Sequence, residues 1–192
     1  MEIKSKVELK TKGEIASLPT VKQLVVTLSW SSAVDLDLMA FYTTKDGTHG
    51  ACYSDQISQD IKSLGDLNNF PFMKLSGDAG VGKETEGDES EELKIIKLDD
   101  IAMVRLVALN YKAVKAKDAE ASFSDLNGHI TILTEKGEVF DVPLNNTDKG
   151  TVAHIATIDN TSPIGAQLKM EDTVMNLGQL VETIPGADAL TK

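Results

Sequence analysis

Carboxylate side chains are concentrated in two stretches of this sequence. The first, "VDLDLMAF" at 34–41, carries Asp35 and Asp37, and the second, "SGDAGVGKETEGDESEE" at 76–92, carries seven carboxylates and the single Lys83. Alternation along a strand places Asp35 and Asp37 on one face, where their charges repel unless they share a cation. Oxygen ligands without nearby His or Cys suit Ca²⁺ or Mg²⁺, and the flexible coordination of calcium suits a glycine-rich loop. We therefore predict calcium binding, and a solvated acidic loop is the alternative.

The second stretch also contains the spacing of a phosphate-binding loop. Gly77, Gly82 and Lys83 match the pattern G-x-x-x-x-G-K, but Glu84 stands where a Ser or Thr should reach magnesium. Such a loop must open a helix, and Gly87 interrupts any helix that starts here. The surrounding carboxylates would also repel a triphosphate. The sequence therefore predicts no nucleotide site in this loop.

The overall composition excludes several classes of partner. The chain has 192 residues and a formal net charge of −11, with 30 carboxylates against 19 lysines and arginines, so nucleic acid is not an expected partner. Cys52 is the only cysteine, which excludes an internal disulfide, and we interpret it as a small buried hydrophobe. No signal peptide or transmembrane stretch is recognisable, so we expect a cytoplasmic protein without an integral membrane segment.

The elements that must position these residues are mainly strands. Short runs rich in branched residues, separated by turn residues, predict an all-β antiparallel β-sandwich in a single domain over residues 1–192. The predicted strands are "VELK", "QLVVTLSW", "LDLMAFYT", "ELKIIKL", "MVRLVALNY", "GHITILT" and "VFDVPL". Turns are predicted at Asp46-Gly47 and Lys136-Gly137.

Helical patterns are rare. Apolar residues at spacings of three and four predict a short C-terminal helix that ends before Pro185-Gly186; they are Val174, Leu177, Leu180, Val181 and Ile184. The stretch "AVKAKDAEA" at 113–121 is compatible with a helical turn or a loop between strands, and we favour the loop.

An enzymatic function finds little support in the sequence. His49, His129 and His154 lie near no evident Ser or Cys partner, so we interpret them as packed or surface residues. Paired carboxylates could perform acid and base chemistry as in glycosidases, but such sites usually carry aromatic platforms, and aromatic residues are only 5% of this chain. We therefore predict a protein that is not an enzyme.

The two acidic stretches together resemble the tellurium-resistance, or TerD-like, stress-protein family. The likeness spans roughly residues 20–160 and includes the strand ending in Trp30, "VDLDLMAF", Asn68-Asn69, "SGD" and the acidic stretch running into "ELKIIKLDDI". The resemblance implies a β-sandwich that binds two Ca²⁺ ions between the Asp-x-Asp loop and the acidic loop. The metal ligands it implies are Asp35, Asp37, Asp78, Asp88, Glu89, Glu91 and Glu92.

The resemblance also implies a function. It favours a calcium-binding stress-response module that acts as a scaffold and presents a surface to other stress-response proteins. The alternative is a sandwich that binds membranes or lipids in a calcium-dependent way, through peripheral association. The apolar residues Phe70-Pro71-Phe72-Met73 are the candidate membrane tip, although a strand or buried turn is the simpler interpretation of them.

Overall fold

The fold is an all-β sandwich of two sheets, seen in a computed structural model that describes residues 3–18, 23–31, 34–54, 61–76 and 89–191. In these ranges seven strands form sheet A, in the order β1 (Ser5–Glu8), β11 (Glu138–Leu144), β10 (Gly128–Thr134), β3 (Leu24–Trp30), β8 (Glu89–Ile95), β7 (Met73–Leu75) and β6 (Gly65–Asp66). Six described strands form sheet B, in the order β2 (Ile15–Leu18), β13 (Ala166–Met175), β12 (Val152–Asp159), β9 (Ile101–Asn110), β4 (Leu36–Thr44) and β5 (His49–Cys52).

Among the described strands the pairing is antiparallel except at one edge of sheet A. There β1 runs parallel to β11, with Ser5 opposite Glu138 and Glu8 opposite Asp141, a detail that the predicted antiparallel sandwich did not include. A parallel pair needs a crossover between its strands rather than a hairpin. The partner of β1 lies about 130 residues later in the chain. No local sequence signal could reveal this pairing.

The core between the sheets follows from the alternation of apolar residues. Leu24, Val26, Leu28 and Trp30 of β3 are buried, whereas the residues between them are partly exposed. They belong to one hydrophobic cluster with inward-facing residues of sheet B, such as Leu106 of β9. Cys52 is completely buried in this cluster, and burial raises the pKa of its thiol to about 12. The interpretation of Cys52 as a buried hydrophobe is confirmed.

A second hydrophobic cluster covers part of the outer face of sheet B. Met39 and Phe41 of β4 belong to this cluster. So do Leu180, in the helix α2 (Leu177–Thr183), and Ile184, just after it. The short C-terminal helix is thus confirmed, but Val174, which we assigned to it, lies in β13. Asn176 begins the helix because its side chain accepts a hydrogen bond from the Gln179 N–H at 2.9 Å. A 3₁₀ turn at Ala187–Thr191 follows it.

Of the stretch 113–121, for which we favoured a loop, residues 113–116 are helical and the remainder lies outside any helix or strand. Helix α1 (Tyr111–Ala116) directly follows β9, and the Asn110 side chain accepts a hydrogen bond from the Ala113 N–H at 3.0 Å. Lys117 adopts a left-handed conformation that ends the helix. Asn110, which caps the helix, lies three positions before the stretch 113–121. Its capping signal is therefore in the sequence but outside the stretch that we considered.

Both predicted hairpin turns are confirmed. β4 ends at Thr44 and β5 begins at His49, with Gly47 at a φ of 88° between them. β10 and β11 are joined across Gly137, at a φ of 83°. A residue with a Cβ atom is strained at these φ values, which explains the glycines.

His154 makes the stability of the fold sensitive to acid. It is buried on the outer side of β12, where its Nε2 lies 3.0 Å from the Thr157 Oγ1. The pKa of His154 is lowered from 6.5 to about 4, chiefly by burial; Glu171 opposes this shift, and Arg105 and Lys169 contribute to it. The unfolded chain therefore binds a proton between pH 6.5 and 4 that the folded chain does not, so stability falls as pH falls through this window.

We expect the free energy of unfolding to decrease by about 2 kcal/mol from this histidine between pH 7.5 and pH 5. Urea unfolding of the native protein and of His154→Gln at both pH values measures it, because glutamine does not titrate. The variant should lose less stability on acidification than the native protein. Equal losses in the two proteins would contradict the assignment.

The described helices are all short. None of them is long and apolar enough to cross a membrane.

Candidate metal centre

A buried carboxylate of sheet A hydrogen-bonds the backbone of sheet B at one end of the sandwich. The Oε2 atom of Glu91, in β8, accepts a hydrogen bond from the Leu38 N–H of β4 at 2.6 Å. Glu91 is only 2% exposed. β5 begins to pair with β4 only at Ala40, so this carboxylate takes the place of a neighbouring strand for the Leu38 N–H. The link joins the two sheets beside the peptide group between Asp37 and Leu38.

The two aspartates of the Asp-x-Asp pair lie at the same end. Asp37 is in β4 and only 5% exposed, and strand alternation places it on the same face as Met39 and Phe41. Asp35 precedes the strand, its Oδ1 atom is buried, and its carbonyl accepts a hydrogen bond from the Tyr111 N–H at 3.0 Å. The structure therefore places Asp35 and Asp37 next to Leu38, whose N–H bonds Glu91, at one end of β4.

Trp30 supports the segment that leads into this region. Its ring is buried at the end of β3, and its Nε1–H donates to the Val34 carbonyl at 2.9 Å. Trp30 also lies opposite Glu89 in the register of β3 and β8. Trp30 thus lies beside the start of β8 in the strand register and bonds the residue before Asp35 through its side chain. The sequence marked Trp30 only as the end of a strand.

The three glutamates of β8 do not share a face. Glu91 faces the core, whereas Glu92 faces outward, where it lies 3.3 Å from the Lys94 Nζ. Glu89 lies at the start of the strand and lines a shallow polar depression of about 380 Å³. The other residues of that depression are Ser29, Trp30, Ser31, Ser90, Asn127 and His129. The structure therefore brings Glu91, but not Glu92, together with the Leu38 backbone.

The described residues do not by themselves form a cation site. Asp78 and Asp88 lie outside the described residues, and in the described ranges no group of three or more His, Cys, Asp or Glu side chains could hold a metal ion. The donors present at this end are carboxylate oxygens, the ligand type that calcium prefers. They lie where β8 emerges from the acidic segment that connects it to β7. Their chemistry and burial fit calcium, and further oxygens are required to complete its coordination.

The apolar tip lies away from this region. Phe70 is 45% exposed and packs edge-to-face on Tyr42 and Phe72, and Phe72 accepts a hydrogen bond from the Ile96 N–H just after β8. β8 has seven residues, which corresponds to about 20 Å between its ends. The predicted metal ligands and the apolar tip are thus at opposite ends of β8. This arrangement does not favour a membrane contact that combines them.

Comparison with known proteins supports the fold. No family model and no curated protein matches this sequence. The crystal structure of a protein of unknown function, SAV2460, is similar with a TM-score of 0.54 and 14% identity, and the match covers 83% of this chain and 94% of that one. The two proteins share a fold.

A second solved structure is also similar to this chain. It is a homologue of telluride resistance protein (TerD), SCO6318 from Streptomyces coelicolor A3(2), which is similar with a TM-score of 0.45 and 12% identity over 81% of this chain and 91% of that one. A TerD homologue is thus among the structures that this chain resembles. At identities of 14% and 12%, the similarity is limited to the fold. The functional residues are therefore identified from this chain alone.

Proposed function

We propose that this protein is a calcium-binding stress-response module of the tellurium-resistance type, and that it acts as a scaffold rather than as an enzyme. The observation that carries the proposal is the buried Glu91 carboxylate, which bonds the Leu38 N–H beside Asp37. Burying carboxylates is costly unless their charge is balanced and their oxygens are hydrogen-bonded. A bound cation at this end of the sandwich would supply that balance.

The ligands proposed from the sequence are Asp35, Asp37, Asp78, Asp88, Glu89, Glu91 and Glu92, around two Ca²⁺ ions. Among them, Asp37 and Glu91 are the most buried described members. Calcium would supply a positive charge that links the acidic segment to both sheets. The residues of this chain would hold β4 and β8 in fixed positions relative to each other. The acidic segment would then present a defined surface to partner proteins.

We expect calcium to bind the metal-stripped protein with micromolar or tighter affinity. Asp37→Asn and Glu91→Gln should each weaken binding at least tenfold, which corresponds to about 1.4 kcal/mol, because each replaces a charged ligand with a neutral one of the same size. Calorimetric titration with CaCl₂ measures this, and MgCl₂ serves as the comparison ion. At a hundredfold excess over its dissociation constant, calcium should stabilise the protein by about 2.7 kcal/mol.

The matched control is Asp99→Asn. Asp99 is exposed and lies 3.8 Å from the Lys97 Nζ, so its replacement makes the same change in net charge away from Asp37 and Glu91. We expect its affinity to remain within twofold of the native value. If the native protein gives no heat at millimolar calcium, the metal-binding proposal is wrong. If Asp99→Asn weakens binding as much as Asp37→Asn, only the net charge matters.

A further inference from the structure

The only arginine of the sequence lies on the outer face of sheet B. The chain contains 19 basic residues, and all except Arg105 are lysines. Arg105 is in β9 and points away from the core, because its neighbours Val104 and Leu106 are part of the core. Its side chain is half-buried, and desolvation lowers the pKa of its guanidinium. A half-buried charge requires compensation from its surroundings.

The partners that Arg105 has in the described residues are neutral. One terminal nitrogen donates to the Thr43 Oγ1 at 2.9 Å, and the other donates to the Met103 Sδ, a weak acceptor, at 3.3 Å. No carboxylate of the described ranges forms an ion pair with it. A guanidinium carries five N–H donors in a planar fork that matches carboxylate and phosphate oxygens. Some of these donors remain available for a ligand.

Carboxylates on the same face are engaged elsewhere. Glu171 of β13 lies 3.1 Å from the Lys169 Nζ and accepts a hydrogen bond from Thr157. Asp159 accepts hydrogen bonds from the N–H and the hydroxyl of Thr161, at 2.9 and 2.6 Å. Glu171 is close enough to raise the pKa of Arg105, but Lys169 balances its charge. The positive charge of Arg105 is therefore not cancelled locally.

Other groups around Arg105 also suit an anion. The Nδ1 atom of His49, an exposed residue of β5, lies 3.2 Å from the Thr43 Oγ1. The Lys169 side chain is two strands away on β13, which corresponds to about 10 Å. Its side chain is 45% exposed, and its ammonium pairs with Glu171. This face thus combines a fork, a hydroxyl and an imidazole in a chain whose net charge is −11.

We propose that Arg105, with Thr43 and His49, binds a small oxyanion of the phosphate or carboxylate type on the outer face of sheet B. The Arg105 fork makes bidentate contact with two oxygens. This site is separate from the proposed calcium site, which lies at one end of the sandwich. Failure of either proposal therefore leaves the other standing.

The single arginine makes the test direct, because the ¹⁵N spectrum of the protein contains one arginine Nε–H resonance. Sodium phosphate is added at constant ionic strength, with sodium chloride as the reference and sodium acetate in a parallel titration. We expect the Arg105 resonance to shift saturably with phosphate or with acetate, and not with chloride. Tighter binding of phosphate assigns a tetrahedral ligand, and tighter binding of acetate assigns a carboxylate. Shifts that do not saturate, or that equal those in chloride, overturn the proposal.

Variants of Arg105 distinguish the contribution of the guanidinium fork from that of its positive charge. Backbone amide shifts of Thr43 and Met103 report binding when the arginine itself is changed. Arg105→Lys should weaken binding about tenfold, and Arg105→Gln should abolish it, because lysine keeps the charge but lacks the fork. Lys74→Gln, on the exposed face of β7 in sheet A, removes the same charge and should leave affinity unchanged. Native affinity in Arg105→Gln with a native melting temperature would overturn the site assignment.

Discussion

Glu91→Ala is expected to lower the free energy of unfolding by about 2–3 kcal/mol. The replacement removes the acceptor of the Leu38 N–H at 2.6 Å, inside a region where the lost carboxylate is only 2% exposed. A buried donor left without an acceptor costs about 1–3 kcal/mol, and the lost packing of the side chain adds to this. Urea unfolding followed by circular dichroism, at fixed calcium concentration, measures the loss.

The neighbouring residue provides the control for this prediction. Glu92 faces outward and lies 3.3 Å from Lys94 in an exposed ion pair, which contributes little to stability. Glu92→Ala should therefore cost less than about 1 kcal/mol. Glu91→Gln should fall between the two, because its amide oxygen still accepts from Leu38. Equal losses in Glu91→Ala and Glu92→Ala would contradict the proposed link between the sheets.

Trp30→Ala is expected to cost about 3–5 kcal/mol, the second large effect. Trp30 is among the largest fully buried side chains, so alanine leaves a cavity between the sheets. It also removes the 2.9 Å hydrogen bond to the Val34 carbonyl, next to Asp35. Thermal unfolding followed by far-ultraviolet circular dichroism measures this, since the variant lacks the only tryptophan.

Trp30→Phe separates packing from the hydrogen bond. Phenylalanine fills part of the space but cannot donate to Val34, so we expect a loss of about 1–2 kcal/mol. If Trp30 also supports the Asp35 segment, Trp30→Phe should weaken calcium binding more than Phe140→Leu, a core substitution in β11. Unchanged calcium affinity in Trp30→Phe would restrict Trp30 to a packing role.

The sequence predicts the strands with strong alternation but not their partners. The bounds of β10 are those predicted, and β3 differs by one residue, because their apolar residues recur at every second position. β13 was not predicted as a strand, and for β12 the sequence indicated only a strand-like stretch around His154. In β13, Glu171, Asp172 and Thr173 interrupt the apolar pattern, and β12 contains an irregularity between His154 and Ala156. Pairing in the sheet overrides these weak local signals.

The candidate metal centre was predicted as residue types but not as geometry. The predicted strand began at Glu92, whereas β8 begins at Glu89, so alternation was not applied to the glutamates. That alternation separates Glu91 from Glu92. The contact between Glu91 and Leu38 joins residues 53 positions apart, and it depends on how the two sheets pack. Such a contact has no local sequence signal.

The order of the strands also determines how this protein avoids unwanted association. In the described parts of both sheets the long strands are central, and the outermost strands, β1, β6, β2 and β5, have four residues or fewer. Short edges offer few free N–H and C=O groups on which another chain could extend the sheet. β1 additionally carries Lys6 and Glu8, and charged side chains at an edge oppose aggregation. Recognition of other molecules is therefore left to the sheet faces and the connecting segments.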